Sequence, residues 1–235
     1  MFVDEREGAI AGVAIPHSEV HLVVRFGPSA HEGLDVHAMG GRQKVHRKLL
    51  PSGQSVTARL HLGAARAVLG VPAAAIAGQI VALEDLWGAP AAWRLKSRLA
   101  QARSTLEAAS VLEQAIDARL ASSGRVGRMQ LVLDAADRLA RQDVNHVAAE
   151  LGVSERHLRR VFKDALGVGP KEFAKLMRFR RAVSAAREAG HASWARIAAS
   201  AGYYDQAHLI TEFRAVSGVT PQVFLGELRV AHSIG

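Results

Sequence analysis

A chain of 235 residues, 49% hydrophobic and 22% charged, can bury one sizeable core or two modest ones, and two domains are the first expectation. Its 30 Lys and Arg against 22 Asp and Glu give a formal net charge of +8, which points to an anionic partner, nucleic acid ahead of a membrane surface. The absence of cysteine excludes disulfide frameworks, thiolate zinc sites and every cysteine-nucleophile enzyme, and it suits a reducing compartment.

The chain opens Met1-Phe-Val-Asp-Glu-Arg-Glu-Gly8, acidic where a secretion signal is basic, and no apolar run approaches the ~20 residues that span a bilayer. A soluble, cytoplasmic protein with no membrane partner is expected. From about Val20 to Leu62 short apolar runs alternate with glycine, proline and polar clusters, as in Val20–Phe26 and Val56–Leu62, and these predict strands of a small β domain. From Gly63 onward helical spacing takes over. Leu106, Ala109, Leu112, Ile116 and Leu120 form one stripe on a predicted helix, which either docks on its own domain or pairs with a second chain in a homodimer. Trp87 and Trp93 either join the core or line a ligand pocket.

Six histidines lie in this half (His17, His21, His31, His37, His46 and His61), and a histidine-lined β-barrel is a known way to hold iron or zinc. None forms a His-x-His pair with a following carboxylate, and His17 and His21 count as a ligand pair only if they share a face. No glycine-rich phosphate loop, paired carboxylates or nucleophile elbow is present. The reading is therefore of a non-enzyme without metal or cofactor, with a cupin-like metal enzyme fused to a DNA-binding tail as the alternative of a different class.

Ala121-Ser-Ser-Gly-Arg-Val-Gly127 has the composition of a linker. We divide the chain into a regulatory or sensor domain over 1–122, a linker over 123–127 and an all-helical domain over 128–235. Met129, Val132, Ala136 and Ala140 mark the first helix of the second domain, and Asp143 caps the next. The charge follows this division: residues 123–235 hold 17 Lys and Arg against 11 Asp and Glu, whereas residues 1–122 hold 13 against 11.

The second half repeats itself. Gly167-Val-Gly-Pro-Lys-Glu-Phe173 and Gly218-Val-Thr-Pro-Gln-Val-Phe224 have the same punctuation, Phe162 and Phe213 precede each glycine by five residues, and Leu158 and Leu209 lie four earlier still. Upstream, Ala148 and Ala198 each stand four residues before Gly152 and Gly202. A small residue where two helices cross, a glycine free to take the left-handed conformation and apolar residues beyond it are what a helix-turn-helix requires, here at about 143–166 and 193–217. The second turn is one residue longer, because Gly202 to Leu209 is a longer step than Gly152 to Leu158.

The helix capped by Ser154 buries Leu158, Val161, Phe162 and Ala165 and leaves Arg156, Arg159, Arg160 and Lys163 on the opposite side. A merely solvated face mixes signs; a helix entering the major groove needs guanidinium forks for guanine and ammonium groups for phosphate. The predicted long helix opened by Pro170 carries Lys171, Lys175, Arg178 and Arg181 roughly along one side, either as a solvated connector or in contact with phosphates. The second recognition helix, about Asp205 to Ser217, offers Gln206, His208, Thr211 and Arg214.

Val144-Asn-His-Val-Ala-Ala-Glu-Leu-Gly-Val-Ser-Glu-Arg-His-Leu-Arg-Arg-Val-Phe-Lys163, Ile197–Arg214 and Gly218-Val-Thr-Pro221 closely resemble the AraC/XylS family of bacterial transcriptional regulators over about residues 128–228. The resemblance implies a seven-helix DNA-binding domain, with base contacts from Arg156, Arg159, Arg160, Gln206, Ala207 and Thr211. Thr211 and Ala207 depart from the family's usual arginine and serine, so the first unit is expected to dominate readout. Arg59-Leu-His-Leu-Gly-Ala-Ala65, Leu69-Gly-Val-Pro-Ala73 and Leu83-Glu-Asp-Leu-Trp-Gly88 are similar to a sensor-type domain found ahead of such DNA-binding domains, which implies a small, partly open β-barrel followed by helices. The fold class is therefore α+β, and the function implied is sequence-specific regulation of transcription on promoter DNA. RNA polymerase and a small-molecule effector are the further partners. A non-specific architectural DNA binder is the other alternative.

Overall fold

Among the described residues, seven short strands, all antiparallel, build the N-terminal region: β1 (Phe2–Arg6), β2 (Ile10–Ala14), β3 (His21–Phe26), β4 (Leu34–Met39), β5 (His46–Leu50), β6 (Gly53–Arg59) and β7 (Ile80–Ala82). The computed structural model describes residues 1–6, 10–28, 30–50, 53–123, 126–139, 142–188 and 193–233. Five strands form an open sheet in the order β1-β6-β3-β4-β7, and β2 pairs with β5 in a separate ribbon. The register sets Val24 between Val36 and Val56, and Leu22 between Ala38 and Ala58, so one face of the sheet is continuously apolar and buried. The sequence pattern placed strands only within 20–62. The strands β1, β2 and β7 lie outside that range, and β1 and β7 escaped notice because they are sheet edges: Val3 and Ile80 are exposed there, and the alternation that marks a half-buried strand is lost.

Four helices cover the apolar face: α1 (Ala65–Leu69), α2 (Leu83–Trp87), α3 (Ala89–Ala100) and α4 (Thr105–Ser123). Leu69, Leu83, Leu99 and Leu112 are fully buried against the sheet. The α4 stripe docks on its own domain through Leu112 and Ile116, while Leu106 at its start is 77% exposed. Trp87 packs at the core edge with its indole N–H donating to the Val68 carbonyl at 2.9 Å, under the Arg119 guanidinium. Trp93, by contrast, is 69% exposed and belongs to no core.

Seven helices follow among the described residues: α5 (Val126–Leu139), α6 (Val144–Glu150), α7 (Glu155–Leu166), α8 (Pro170–Glu188), α9 (Trp194–Ala201), α10 (Gln206–Ser217) and α11 (Pro221–Ser233). Of the expected linker, residues 124 and 125 lie outside the described residues, as does Ala140; α4 runs to Ser123 and α5 starts at Val126. Two cores organise these helices, one around Phe162 and Phe173, the other around Phe179, Phe213 and Phe224. No helix among the described residues is long and apolar enough to cross a membrane.

The N-terminal region touches both helical cores. The ribbon β2–β5 lies on α11, and Val13, Ile15 and Val45 pack into the second core. The Val45 amide donates to the Val216 carbonyl at 3.0 Å, and Arg47 bonds the Glu227 carboxylate and, at 3.0 Å, the Ser217 carbonyl. At the other unit, Arg66 bonds Asp164 of α7 at 2.6 Å, and the 3-10 turn Ala73–Ile76 packs against the end of α7. Between them, Arg180 of α8 bonds Glu19 at 3.1 Å.

Candidate nucleic-acid interface

Both units are built by the same local chemistry. Asp143 caps α6 by accepting the His146 amide at 2.9 Å, and Ser154 caps α7 by accepting the His157 amide at 3.2 Å. In the second unit Ser193 accepts the Arg196 amide at 3.4 Å and Asp205 the His208 amide at 2.7 Å. Gly152 (φ 65°) and Gly202 (φ 85°) turn the chain in the left-handed conformation, and the following amides, of Val153 and Tyr203, return to the carbonyls of Ala148 and Ala198 at 3.0 and 2.9 Å. Phe162 of α7 meets Phe173 edge-on with centroids 5.5 Å apart, and Phe213 of α10 meets Phe224 in the same way at 5.5 Å. The sequence repeat is thus a repeat of contacts.

Leu158, Val161, Phe162 and Leu166 are buried on α7, with Ala165 half-buried beside them. Arg156, Arg159, Arg160 and Lys163 are all exposed on the opposite side. The side chains of Arg156 and Lys163 have no hydrogen bond or ion pair among the described residues, and that of Arg160 meets only the His157 ring, at 3.2 Å. Arg159 alone carries a counter-charge, Glu155 one turn earlier at 2.7 Å. The face therefore presents three guanidinium groups and an ammonium group against one carboxylate, an arrangement that accepts phosphates and base edges.

On α10, Gln206, Ala207, Thr211 and Arg214 are exposed. The Thr211 hydroxyl donates back to the Ala207 carbonyl at 2.9 Å. His208 is set apart from these residues: its ring stands edge-on to Tyr203 and its Nε2 is 3.6 Å from the Glu212 carboxylate, so it stiffens the turn. Tyr204, 93% exposed immediately before the Asp205 cap, was not singled out from the sequence. The longer second turn was the available signal, since the added residue has to go somewhere and here Tyr203 is buried while Tyr204 faces out.

The cations of α8 divide. Lys171 is exposed and Lys175 half-buried, and neither has a partner among the described residues. Arg178 grips Glu212 of α10 with both nitrogens, at 2.8 to 3.1 Å, and so ties α8 to α10. Arg181 donates to the Met177 carbonyl at 3.4 Å.

In the N-terminal half, His17 and His21 do share a face: their rings stack parallel with centroids 4.0 Å apart. Burial lowers the pKa of both, that of His21 to about 4, and the His17 ring nitrogen sits 2.8 Å from the Glu19 carbonyl. Burial works against the charged Glu19 carboxylate, but the Arg180 guanidinium and hydrogen bonding outweigh it, and its pKa falls below the ordinary value. Among the described residues no group of three or more His, Asp and Glu is arranged to hold a metal ion.

Residues 147–227 match the family model described as a helix-turn-helix domain. No curated protein matches the chain. Among solved structures, the C-terminal domain of AraT, a response regulator from Geobacillus stearothermophilus, is 22% identical, covering 41% of this chain and 81% of that one at a TM-score of 0.38. ToxT from Vibrio cholerae is 13% identical over 97% of this chain and 96% of its own, at a TM-score of 0.46. ToxT with an unsaturated fatty acid bound is 10% identical over 95% and 92%, at 0.44. With its two turns, caps and phenylalanine pairs, the stretch 147–227 is a helix-turn-helix domain.

Proposed function

We propose that this protein is a transcriptional regulator that reads promoter DNA by laying α7 and α10 in successive major-groove segments about one turn, ~34 Å, apart. The observation that carries this reading is the exposed face of α7, where Arg156, Arg160 and Lys163 project without an acidic partner among the described residues. Cations left uncompensated on a capped helix of a helix-turn-helix are matched by phosphates and guanine edges. Arg156, Arg159 and Arg160 contact bases, while Lys163, Lys171, Arg214 and the exposed Tyr204 hydroxyl contact the backbone. Gln206 and Thr211 supply the weaker readout of the second unit, and His208 supports the turn rather than DNA.

Residues 1–122 act as the regulatory part and residues 128–235 as the DNA-binding part. The Arg66–Asp164 ion pair and the Arg47 bond to the Ser217 carbonyl join the first part to α7 and α10, so a small-molecule effector bound to the first part would act on both helices at once. Two units on one chain suffice for a bipartite site, so binding requires no homodimer.

Selection of bound sequences from a random duplex pool tests the reading. Enrichment of a ~20 base-pair site with two segments one turn apart is the expected result. Tight, salt-sensitive binding without enrichment would replace it with non-specific architectural binding, and no binding at any salt would remove DNA as the partner.

A further inference from the structure

The loop between β4 and β5 belongs to the N-terminal region, yet its tip lies among the cations of the helical domain. Two glycines hold its base. A Cβ on Gly40 would overlap the Ile76 carbonyl oxygen, and one on Gly41 would stand 2.9 Å from that of Ser18. The Gly40 amide donates to the Gln79 carbonyl at 2.9 Å and the Arg42 amide to the His17 carbonyl at 2.7 Å. The far side is held as well, by the 3.0 Å bond from the Val45 amide to the Val216 carbonyl at the end of α10. Gln43 and Lys44, between these anchors, are exposed.

Gln43 borders two adjoining clefts. One is shared with Arg159, Arg160 and Lys163 of α7 and with Lys171 and Glu172 of α8. The other, which Lys44 also lines, runs between α8 and the last turns of α10. Two of the three carboxylates around this second cleft are engaged: Glu212 is held by Arg178, and Asp143 caps α6. That leaves Lys44, Lys171 and Lys175 against Glu172, and Lys44 has no partner among the described residues. The adjoining α10 carries a single cation of its own, Arg214.

We propose that the loop tip Gln43–Lys44 is a third DNA-contacting element, supplied by the N-terminal region, with Lys44 bonding a backbone phosphate between the segments read by α7 and α10. This rests on the DNA-binding reading above. It places the N-terminal region over the stretch between the two major-groove segments, where it adds the positive charge that α10 lacks. A displacement of β4 or β5 would move Lys44 together with the α10 contact at Val216.

The test uses the whole protein on a duplex recovered from the selection above, measuring affinity against salt concentration and interference by phosphate ethylation. Lys44→Ala is expected to reduce the slope of log K against log salt by about 0.9, roughly an eightfold loss at 0.1 M salt, while Lys44→Arg keeps the wild-type slope. Ethylation of phosphates between the two segments should weaken wild-type binding and leave Lys44→Ala unaffected. An unchanged slope and interference pattern for Lys44→Ala, with Lys163→Ala still lowering the slope, would overturn the proposal and leave the DNA reading intact. Weaker binding at an unchanged slope would equally overturn it, since Lys44 would then only support α10. Absence of salt-dependent duplex binding by the wild type would instead remove the reading on which the proposal rests.

Discussion

Arg160 and Lys163 are both exposed on α7, but their chemistry separates their tasks. A planar guanidinium can bond guanine O6 and N7 together, whereas an ammonium group is a point charge suited to phosphate. Arg160→Ala should cost about 1–3 kcal/mol on the cognate site and relax base preference, while Lys163→Ala should weaken binding to all sequences alike, as competition against random duplex will measure. Equal behaviour of the two variants on specific and random DNA would contradict the assignment. Arg159 is a different case because Glu155 holds it at 2.7 Å. An exposed pair of this kind contributes at most about 1 kcal/mol, so DNA can compete for the guanidinium. Glu155→Gln, which removes the carboxylate paired with Arg159, should raise duplex affinity and steepen its salt dependence. The sequence identified these cations correctly as one face. It gave no sign that His208 turns toward Tyr203 and Glu212, or that Arg178 is consumed by Glu212, because such pairings depend on how helices far apart in the chain are brought together.

Caps and turns are local, and at this scale the sequence was nearly sufficient. Asp143 and Ser154 were legible as caps, and Gly152 and Gly202 as turn formers, because each acts on backbone groups within a few residues. Ser154→Ala should lower stability by about 1 kcal/mol, read from urea unfolding, by stripping the His157 amide of its acceptor. Phe213 is a larger matter: it is fully buried, with centroids 4.5 Å from Phe179 and 5.5 Å from Phe224. Phe213→Ala should cost roughly 3–5 kcal/mol and abolish DNA binding by the second unit first. The edge strands β1 and β7 were not legible, since a strand paired on one side with exposed apolar residues carries little period-two signal.

The assembly as a whole depends on contacts that composition cannot encode. Gly167 and Gly218 end α7 and α10 with nearly the same φ, 76° and 80°, so alanine at either position meets the same backbone strain, about 1–2 kcal/mol. A Cβ on Gly167 would also stand 2.9 Å from the Ala77 Cβ, whereas one on Gly218 meets nothing within 4 Å. Gly167→Ala should therefore be the more destabilising, and Ala77→Gly in the same chain should recover part of the excess in a double-mutant cycle, the approach to the Ala73 carbonyl at 3.3 Å remaining. Acid should loosen the same assembly. His17 and His21 titrate below their ordinary value of 6.5 in the folded protein, His21 at about 4, so between these values the unfolded chain binds protons that the folded chain does not. Stability is then fully present above 6.5 and declines as pH falls toward about 4; His21→Gln should flatten the decline in urea midpoints measured across that range.

Val13, Ile15 and Val45 complete the apolar core formed around Phe213 and Phe224, and this has a kinetic consequence. An isolated helical domain folds through contacts between near neighbours, quickly, whereas this core cannot close until segments at opposite ends of the described sequence meet. The entropy of closing so large a loop has to be met before the contact rewards it. Refolding should therefore show early helix formation followed by a slower phase in which β2 and β5 seat on α11, and during that interval the second unit exposes apolar surface open to association with other chains.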